Sequence, residues 1–461
     1  SAAEAGSLMS AIALQALADE TGGQLVGDSV ALQTLVIDSR KVEDGDLFAA
    51  LSGQRVDGHD FAPQALAAGA SALLTERVLE GLSPQLVVAD VLEASGCFGA
   101  LKRQAFEGDV IAITGSAGKT TTKNLVAAAL ATAGEVHATS GNQNNELGVP
   151  ITLSGLTSNH RFGVIEMGAG QPGDIAYLCQ LARPNVAVCL NASAAHLAHY
   201  DGIDAIAATK GEIFEGLAGK GLAVINADQK WLPQWREQAG TARQVTFGLA
   251  GDADYRAIDI EHRGIEGSYF QLLTPTGSVA VSLQLAGEQH VKNALAALAV
   301  AIEIGVAPRD AAGAVQAVGA GAGRGAISQL PGGGTVVDDS YNANPAAVKA
   351  ALEVLARQPG YRVLVLGPML ELGQDSQSLH HEVGRYARQL GIDQLITVGN
   401  EAAPAAEAFG PDALCFADQT ALQRDFPTLP AEHTIWVKGS RGAGLEHTVA
   451  WLLNSERAGA C

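Results

Sequence analysis

Short apolar runs followed by polar clusters and longer alanine-rich stretches recur through most of the chain. Val110–Ile113, Val164–Met167, Val186–Leu190 and Leu222–Ile225 read as buried strands, and the stretches between them carry helical periodicity. Such alternation is the signature of a mostly parallel α/β sheet. Between Tyr255 and Leu285 the text becomes β-rich around the turn Thr274-Pro-Thr-Gly277, which predicts an antiparallel extension of that sheet. An alanine-rich helix over His290–Ile304 follows. Upstream, a helix around Ile12–Thr21, an extended stretch at Leu35–Ile37, a helix from Ala62 and a strand at Ala72–Thr75 form a smaller unit. Downstream, Val336–Asp339, Arg362–Leu366, Leu395–Val398 and Thr434–Val437 read as strands of a further α/β unit. There Asn344 caps a helix opened by Pro345. The expected architecture is therefore α/β in three domains: a small N-terminal α/β domain (9–89), a central domain with a mostly parallel sheet (90–322) and a Rossmann-like C-terminal domain (323–461). Gly319, Gly321, Gly323 and Gly325 around Arg324 read as a flexible, poorly structured hinge between the last two.

Length supports that division, because 461 residues exceed one ordinary core. With 47% hydrophobic and 17% charged residues, the chain has the composition of a soluble globular protein and no disorder signature. Its net charge of −20, from 29 basic and 49 acidic residues with no dense Lys/Arg run, argues against nucleic acid or anionic membrane as a partner. No apolar run is long enough to span a bilayer, and no signal peptide is evident. Five cysteines without C-x-x-C spacing fit a reducing cytoplasm. Ser1–Leu8, before Met9, reads as a remnant foreign to the folded protein.

The chemistry centres on Asp109-Val-Ile-Ala-Ile-Thr-Gly-Ser-Ala-Gly-Lys-Thr-Thr-Thr122, a strand, a tight glycine loop and a helix opening near Lys119. Backbone N–H groups in such a loop and the positive end of the helix dipole point at an anion. Lys119 adds a point charge, and the Thr120 hydroxyl suits Mg²⁺. The glycine spacing is shorter than the general phosphate-loop pattern, since Ile113 stands where its first glycine would fall. Glu166, Asn191 with His196, and Asn226-Ala-Asp228 follow other strands, and a parallel sheet brings those ends to the loop's edge. Glu166 is either a Mg²⁺ ligand or a solvated strand-end carboxylate. Spacing alone leaves His196 as readily a structural histidine, and Lys210 a solvated helix residue. Asp38-Ser39-Arg40 is likewise either a ligand site at a strand end or a surface turn holding an Asp–Arg pair.

A resemblance narrows these choices. Thr114-Gly-Ser-Ala-Gly-Lys-Thr-Thr121, Asn142-Gln-Asn-Asn-Glu-Leu-Gly148, Glu166-Met-Gly, Asn191 to His196, Lys210-Gly-Glu-Ile-Phe and Asn293-Ala-Leu-Ala-Ala resemble the central domain of the Mur ligases. Asp339-Ser-Tyr-Asn-Ala-Asn344 and Lys438-Gly-Ser-Arg441 resemble the family's C-terminal domain, and Asp38-Ser-Arg40 with Asp57-Gly-His-Asp-Phe61 its N-terminal UDP-binding module. These are ATP-dependent amide ligases of peptidoglycan precursor synthesis. Glu-Ile-Phe, Asp-Ser-Tyr-Asn-Ala-Asn and Lys-Gly-Ser-Arg point within the family to the step that joins D-Ala-D-Ala to UDP-N-acetylmuramoyl-tripeptide. The resemblance implies ATP contacts at Gly115, Ser116, Ala117, Gly118, Lys119, Thr120, Thr121, Asn293, Arg324 and Asp339, with Asp339 near the ribose. It implies two Mg²⁺ ions at Thr120, Glu166, His196 and a carbamylated Lys210, and catalytic roles for Lys119, Glu166, His196 and Lys210. Substrate contacts are implied at Ser39, Arg40, Asn142, Asn144, Asn145 and Tyr341, with Asn344, Lys438 and Arg441 on the D-Ala-D-Ala side. A cytoplasmic monomer that closes on ATP is expected.

The chain departs from the family pattern at Gln289-His290, where many relatives read His-Asn, and at Pro368, where relatives often carry aspartate. Roles at those positions do not carry over. The rivals are another Mur step, a folylpolyglutamate-type ligase, and a phosphate-loop nucleotide-binding protein that forms no amide.

Overall fold

The computed structural model describes residues 11–53, 56–193 and 200–455. The expectation for Ser1–Leu8 and the position of His196 lie outside the described residues.

Three sheets carry the molecule. The central one has nine strands, in the order Gly277–Leu283, Ser268–Thr274, Tyr255–His262, Arg243–Gly248, Leu222–Asn226, Val186–Cys189, Asp109–Thr114, Phe162–Glu166 and Val136–Ala138. Pairing is parallel from Val136–Ala138 as far as Tyr255–His262, and the last two strands close it antiparallel, as their turn chemistry predicts. The inner strands are apolar at nearly every position because both faces are covered. On Asp109–Thr114, Ile111 and Ile113 pack into the layer of helices Lys119–Ala131 and Glu288–Ile304, while Val110 and Ala112 face helices Gly148–Ser154 and Asp174–Ala182. Alanines 294, 296, 297, 299 and 301 are fully buried, which lets the long helix lie close to the sheet and the phosphate loop.

The N-terminal sheet runs Gln24–Val26, Gln85–Val87, Ala72–Thr75, Leu47–Ala49 and Leu35–Val36, parallel except at its first pair. The first helix begins at Leu14 rather than at Ile12, because Ile12–Ala13 is drawn into antiparallel pairing with Ala31–Leu32. Helix Val91–Ala105 ties this unit to the next: Val91, Ala94 and Phe98 join the N-terminal core, and its Gly99 lies against Pro150 of the central unit. Ser154 Oγ accepts the buried Leu35 N–H at 3.0 Å across the same junction.

The C-terminal sheet has the order Ala326–Gln329, Thr335–Asp339, His433–Lys438, Tyr361–Leu366, Gln394–Val398 and Ala413–Phe416, antiparallel only at Ala326–Gln329. The glycine stretch leading into it is not the poorly structured patch its composition suggests. Gly325 N–H donates to Asp338 O at 2.7 Å, Gly323 N–H to Asp338 Oδ2 at 3.2 Å, and Tyr341 N–H to Gly323 O at 2.9 Å. Gly323 and Gly325 sit at φ of 68° and 93°, so the glycines supply left-handed turns that lace the segment to the strand beside it.

Candidate active site

The C-terminal ends of the central strands meet the C-terminal sheet across one cavity of about 890 Å³. Its lining includes all of Gly115 to Thr121, together with Asn142, Asn144, Asn145, Glu166, Lys210 and Asn293 from the central domain. Arg324, Asp339, Tyr341, Asn344 and Lys438 line it from beyond the glycine segment. Ser39, Arg40 and Arg441 are not part of that wall.

The loop is held in shape by an asparagine. Asn191, just past strand Val186–Cys189, accepts Ser116 N–H on its carbonyl (3.1 Å) and Ala117 N–H on Oδ1 (3.0 Å), and its Nδ2 donates to Ala117 O (3.1 Å). Those two loop N–H groups are spent on Asn191. The anion donors left are at the helix start, from Gly118 to Thr121, because the helical ladder begins with Thr122 N–H on Gly118 O. Gly118 has φ of 84°, and a Cβ there would stand 2.5 Å from Asn293 Oδ1, so a side chain is excluded twice over. Asn191 was visible in the sequence as a polar residue after a strand; its grip on the loop was not.

Glu166 is buried at the end of Phe162–Glu166, in register with Ile113 just before the loop. Its Oε2 accepts from Thr120 Oγ1 and its Oε1 from Asn144 Nδ2, both at 2.8 Å. Lys119 Nζ donates to Gly115 O at 2.9 Å; burial pushes its pKa down, while Glu166 opposes the shift. Lys123, one turn later on the same helix face, escaped the sequence reading although its spacing from Lys119 marks it. Its ammonium donates to Thr139 O at 2.6 Å, and Thr139 Oγ1 accepts Glu166 N–H at 2.9 Å. Burial, then the nearby Lys119 charge, lowers Lys210 to about 7.

Oxygen donors at Glu166 and Thr120 suit a small hard cation whose remaining ligands would come from substrate phosphate and water, and the Lys119 and Lys123 cations near Glu166 suit that phosphate. Among the described residues no three His, Cys, Asp or Glu side chains gather as a metal cluster.

On the far wall, Lys438 Nζ donates to Asp339 Oδ2 at 2.7 Å, and Trp436 Nε1 donates to the same oxygen at 3.2 Å. Asn344 caps helix Pro345–Leu355 through Oδ1, as its sequence position predicts. The Tyr341 ring carries the Arg324 guanidinium 4.0 Å from its centroid and that of Arg441 at 5.4 Å. In the N-terminal domain, Arg40 forms two hydrogen bonds to Asp38, at 2.8 and 2.9 Å, with its side chain 79% exposed. The local Asp–Arg pair therefore exists, on a short turn capped by Asp38, and it holds the Asp38 carboxyl down at about 2.

Family models cover most of this frame: the Mur ligase middle domain matches residues 113–301, the Mur ligase glutamate ligase domain 323–441, and the Mur ligase family catalytic domain 32–94. The UDP-N-acetylmuramoyl-tripeptide–D-alanyl-D-alanine ligase of Escherichia coli is 42% identical over 449 residues, 96% of this chain and 99% of that protein. The chain belongs to the Mur ligase family. A crystal structure of MurF from Acinetobacter baumannii superposes with a TM-score of 0.89 at 34% identity, covering 96% of this Mur ligase and 99% of that chain. The MurF ligase of Thermotoga maritima, solved in complex with ADP, gives 0.80 at 28% identity over 92% and 98% of the two chains. A folylpolyglutamate synthase from Mycobacterium tuberculosis shares the fold alone, at 18% identity with a TM-score of 0.60.

Proposed function

We propose that this enzyme is the ATP-dependent ligase that joins D-Ala-D-Ala to the terminal carboxylate of UDP-N-acetylmuramoyl-tripeptide. The observation that carries this reading is the identity of 42% along essentially the full length of a relative bearing that name. A single cavity between the phosphate loop and the C-terminal sheet fits it, because the reaction must bring ATP, an acid and an amine together. The alternatives weaken on the same facts: folylpolyglutamate synthase matches at 18% identity over 78% of this chain, and a non-ligase nucleotide binder has no use for the third domain.

A carboxylate is a poor electrophile, so the substrate acid attacks the γ-phosphoryl group of ATP and becomes an acyl phosphate, with ADP leaving. The dipeptide amine adds to that carbonyl, and the tetrahedral intermediate expels phosphate as the amide forms. Phosphoryl transfer asks for positioning and charge stabilisation. Lys119 and the N–H groups from Gly118 to Thr121 would hold the β- and γ-phosphates, and Arg324 would reach them from the opposite wall. Asn293 and Asp339 would contact the nucleoside, Asn344 and Arg441 the dipeptide side, and Ser39 and Arg40 the UDP end. Mg²⁺, when bound, neutralises phosphate charge; Thr120 and Glu166 would hold one ion, and His196 with Lys210 a second. An ammonium would repel that second ion. Lys210, held near neutrality by burial, suits addition of its free amine to CO₂, which forms an N–C bond, releases a proton and leaves a carbamate anion. We place the reaction in the bacterial cytoplasm, where ATP and UDP-linked precursors are found, and no described helix is long and apolar enough to cross a membrane. We take the enzyme to act as a monomer.

Phosphate release from ATP tests the assignment with UDP-N-acetylmuramoyl-tripeptide and D-Ala-D-Ala supplied singly and together. Release is expected to require both; release independent of the dipeptide, or a phosphorylated end product, would refute it.

A further inference from the structure

The family resemblance puts Lys438 on the dipeptide side, where a cation would meet a carboxylate. Its hydrogen bonds run the other way. Strands Thr335–Asp339 and His433–Lys438 pair in parallel with Asp339 opposite Lys438 and Val337 opposite Trp436. From that register Lys438 Nζ reaches Asp339 Oδ2 at 2.7 Å and Asn342 O at 3.0 Å, and Trp436 Nε1 reaches the same Oδ2 at 3.2 Å. Two of the three ammonium protons are thus committed inside the C-terminal domain, and the Lys438 side chain is 5% exposed against 19% for Asp339. The paired ammonium offers little net charge to an incoming carboxylate. Both side chains border the cavity, and Asp339 has only one of its two oxygens pinned, by the Lys438 and Trp436 donors.

We propose that Lys438 is a positioning residue for the nucleotide: it fixes Asp339 so that the free carboxylate oxygen meets the ribose hydroxyls, and it does not bind D-Ala-D-Ala. The proposal rests on the reading of Asp339 as the ribose acceptor. Neutral hydroxyls bind weakly to a carboxylate free to turn toward water, and a pre-oriented one spares that ordering cost. Pairing with Lys438 also means that the half-buried carboxylate is not a lone charge in the wall.

Steady-state kinetics on the full-length enzyme separate the two roles, using ATP, 2′,3′-dideoxy-ATP and D-Ala-D-Ala as varied substrates. Lys438→Met is expected to raise the KM for ATP about tenfold, the scale of losing one charged hydrogen bond. The KM for D-Ala-D-Ala should stay within about twofold. Its preference for ATP over the dideoxy nucleotide should shrink to that of Asp339→Asn, and the double variant should be no worse than Asp339→Asn alone. Lys438→Arg, which keeps the charge, should recover part of the preference. If Lys438→Met does not fold, the double variant and Lys438→Arg carry the test, since neither leaves a buried unpaired charge. A KM increase confined to D-Ala-D-Ala overturns the proposal. An Asp339→Asn enzyme with unaltered nucleotide preference instead overturns the ribose reading beneath it.

Discussion

Lys210 shows how one residue's surroundings decide its chemistry. It sits on helix Ile203–Glu215, 3% exposed, and burial brings its pKa to about 7. A lysine in water is an ammonium at neutral pH and inert toward CO₂; this one has a large share of free amine. Lys210→Ala is therefore expected to lose activity by at least about two orders of magnitude, the scale of removing one transition-state electrostatic partner. Added bicarbonate or a short-chain carboxylic acid should restore part of it by supplying an anion to the vacated space. A fully active Lys210→Ala enzyme would dispose of the carbamate. The motif singled this lysine out, but the sequence had no way to express its low pKa, which arises from burial in the fold and then from the charge of Lys119, a residue distant along the chain.

Elements explain why the phosphate loop keeps its shape with fewer glycine-spaced residues than the general pattern. The neighbouring strand contributes Asn191, whose backbone and side chain hold Ser116 and Ala117. Asn191→Ala removes both side-chain bonds and should raise the KM for ATP about tenfold, for roughly 1–1.5 kcal/mol of lost loop order. The KM for D-Ala-D-Ala should change little; an unchanged ATP KM would mean the loop is rigid without the clamp. Elements were also the best-read level of the sequence. Apolar runs such as Val186–Cys189, the cap at Asn344 and the turn near Gly277 declare themselves over a few residues. Strands Ala326–Gln329 and Ala413–Phe416 did not: one follows a glycine-dense stretch and the other is a short, partly exposed edge, so neither shows an apolar run. Ordered glycines and flexible ones look alike in a sequence, so the turns that Gly323 and Gly325 make beside Asp338 are not legible there.

At the scale of the molecule, the cavity is walled by the start of helix Glu288–Ile304 on one side and by residues of the C-terminal domain on the other. His290, at the start of that helix, stands where the family pattern breaks. Burial, then the Lys438 charge, lowers its pKa to about 4, and Asn293 Nδ2 donates to its unprotonated Nδ1 at 3.4 Å. In the unfolded chain a histidine titrates near 6.5, so between about pH 6.5 and 4 the unfolded state takes up the proton first. Its contribution to stability is then complete above the upper limit and declines as pH falls through that window. Urea midpoints measured from pH 7.5 to 5 should fall less steeply for His290→Gln than for the parent enzyme. An identical slope would mean that His290 is solvated and that the other buried histidines, His137 and His380 among them, carry the effect.

Helix Val91–Ala105 bears on how such enzymes can be recombined. Its Val91, Ala94 and Phe98 complete a core that begins with Leu14 and Leu17, while its opposite side lies on the central unit. A graft of the UDP-side module from one relative to another therefore has to travel with this helix through Ala105. A cut made before Val91, where the chain changes character, would pair the hydrophobic surface of one ancestor with the plug of another.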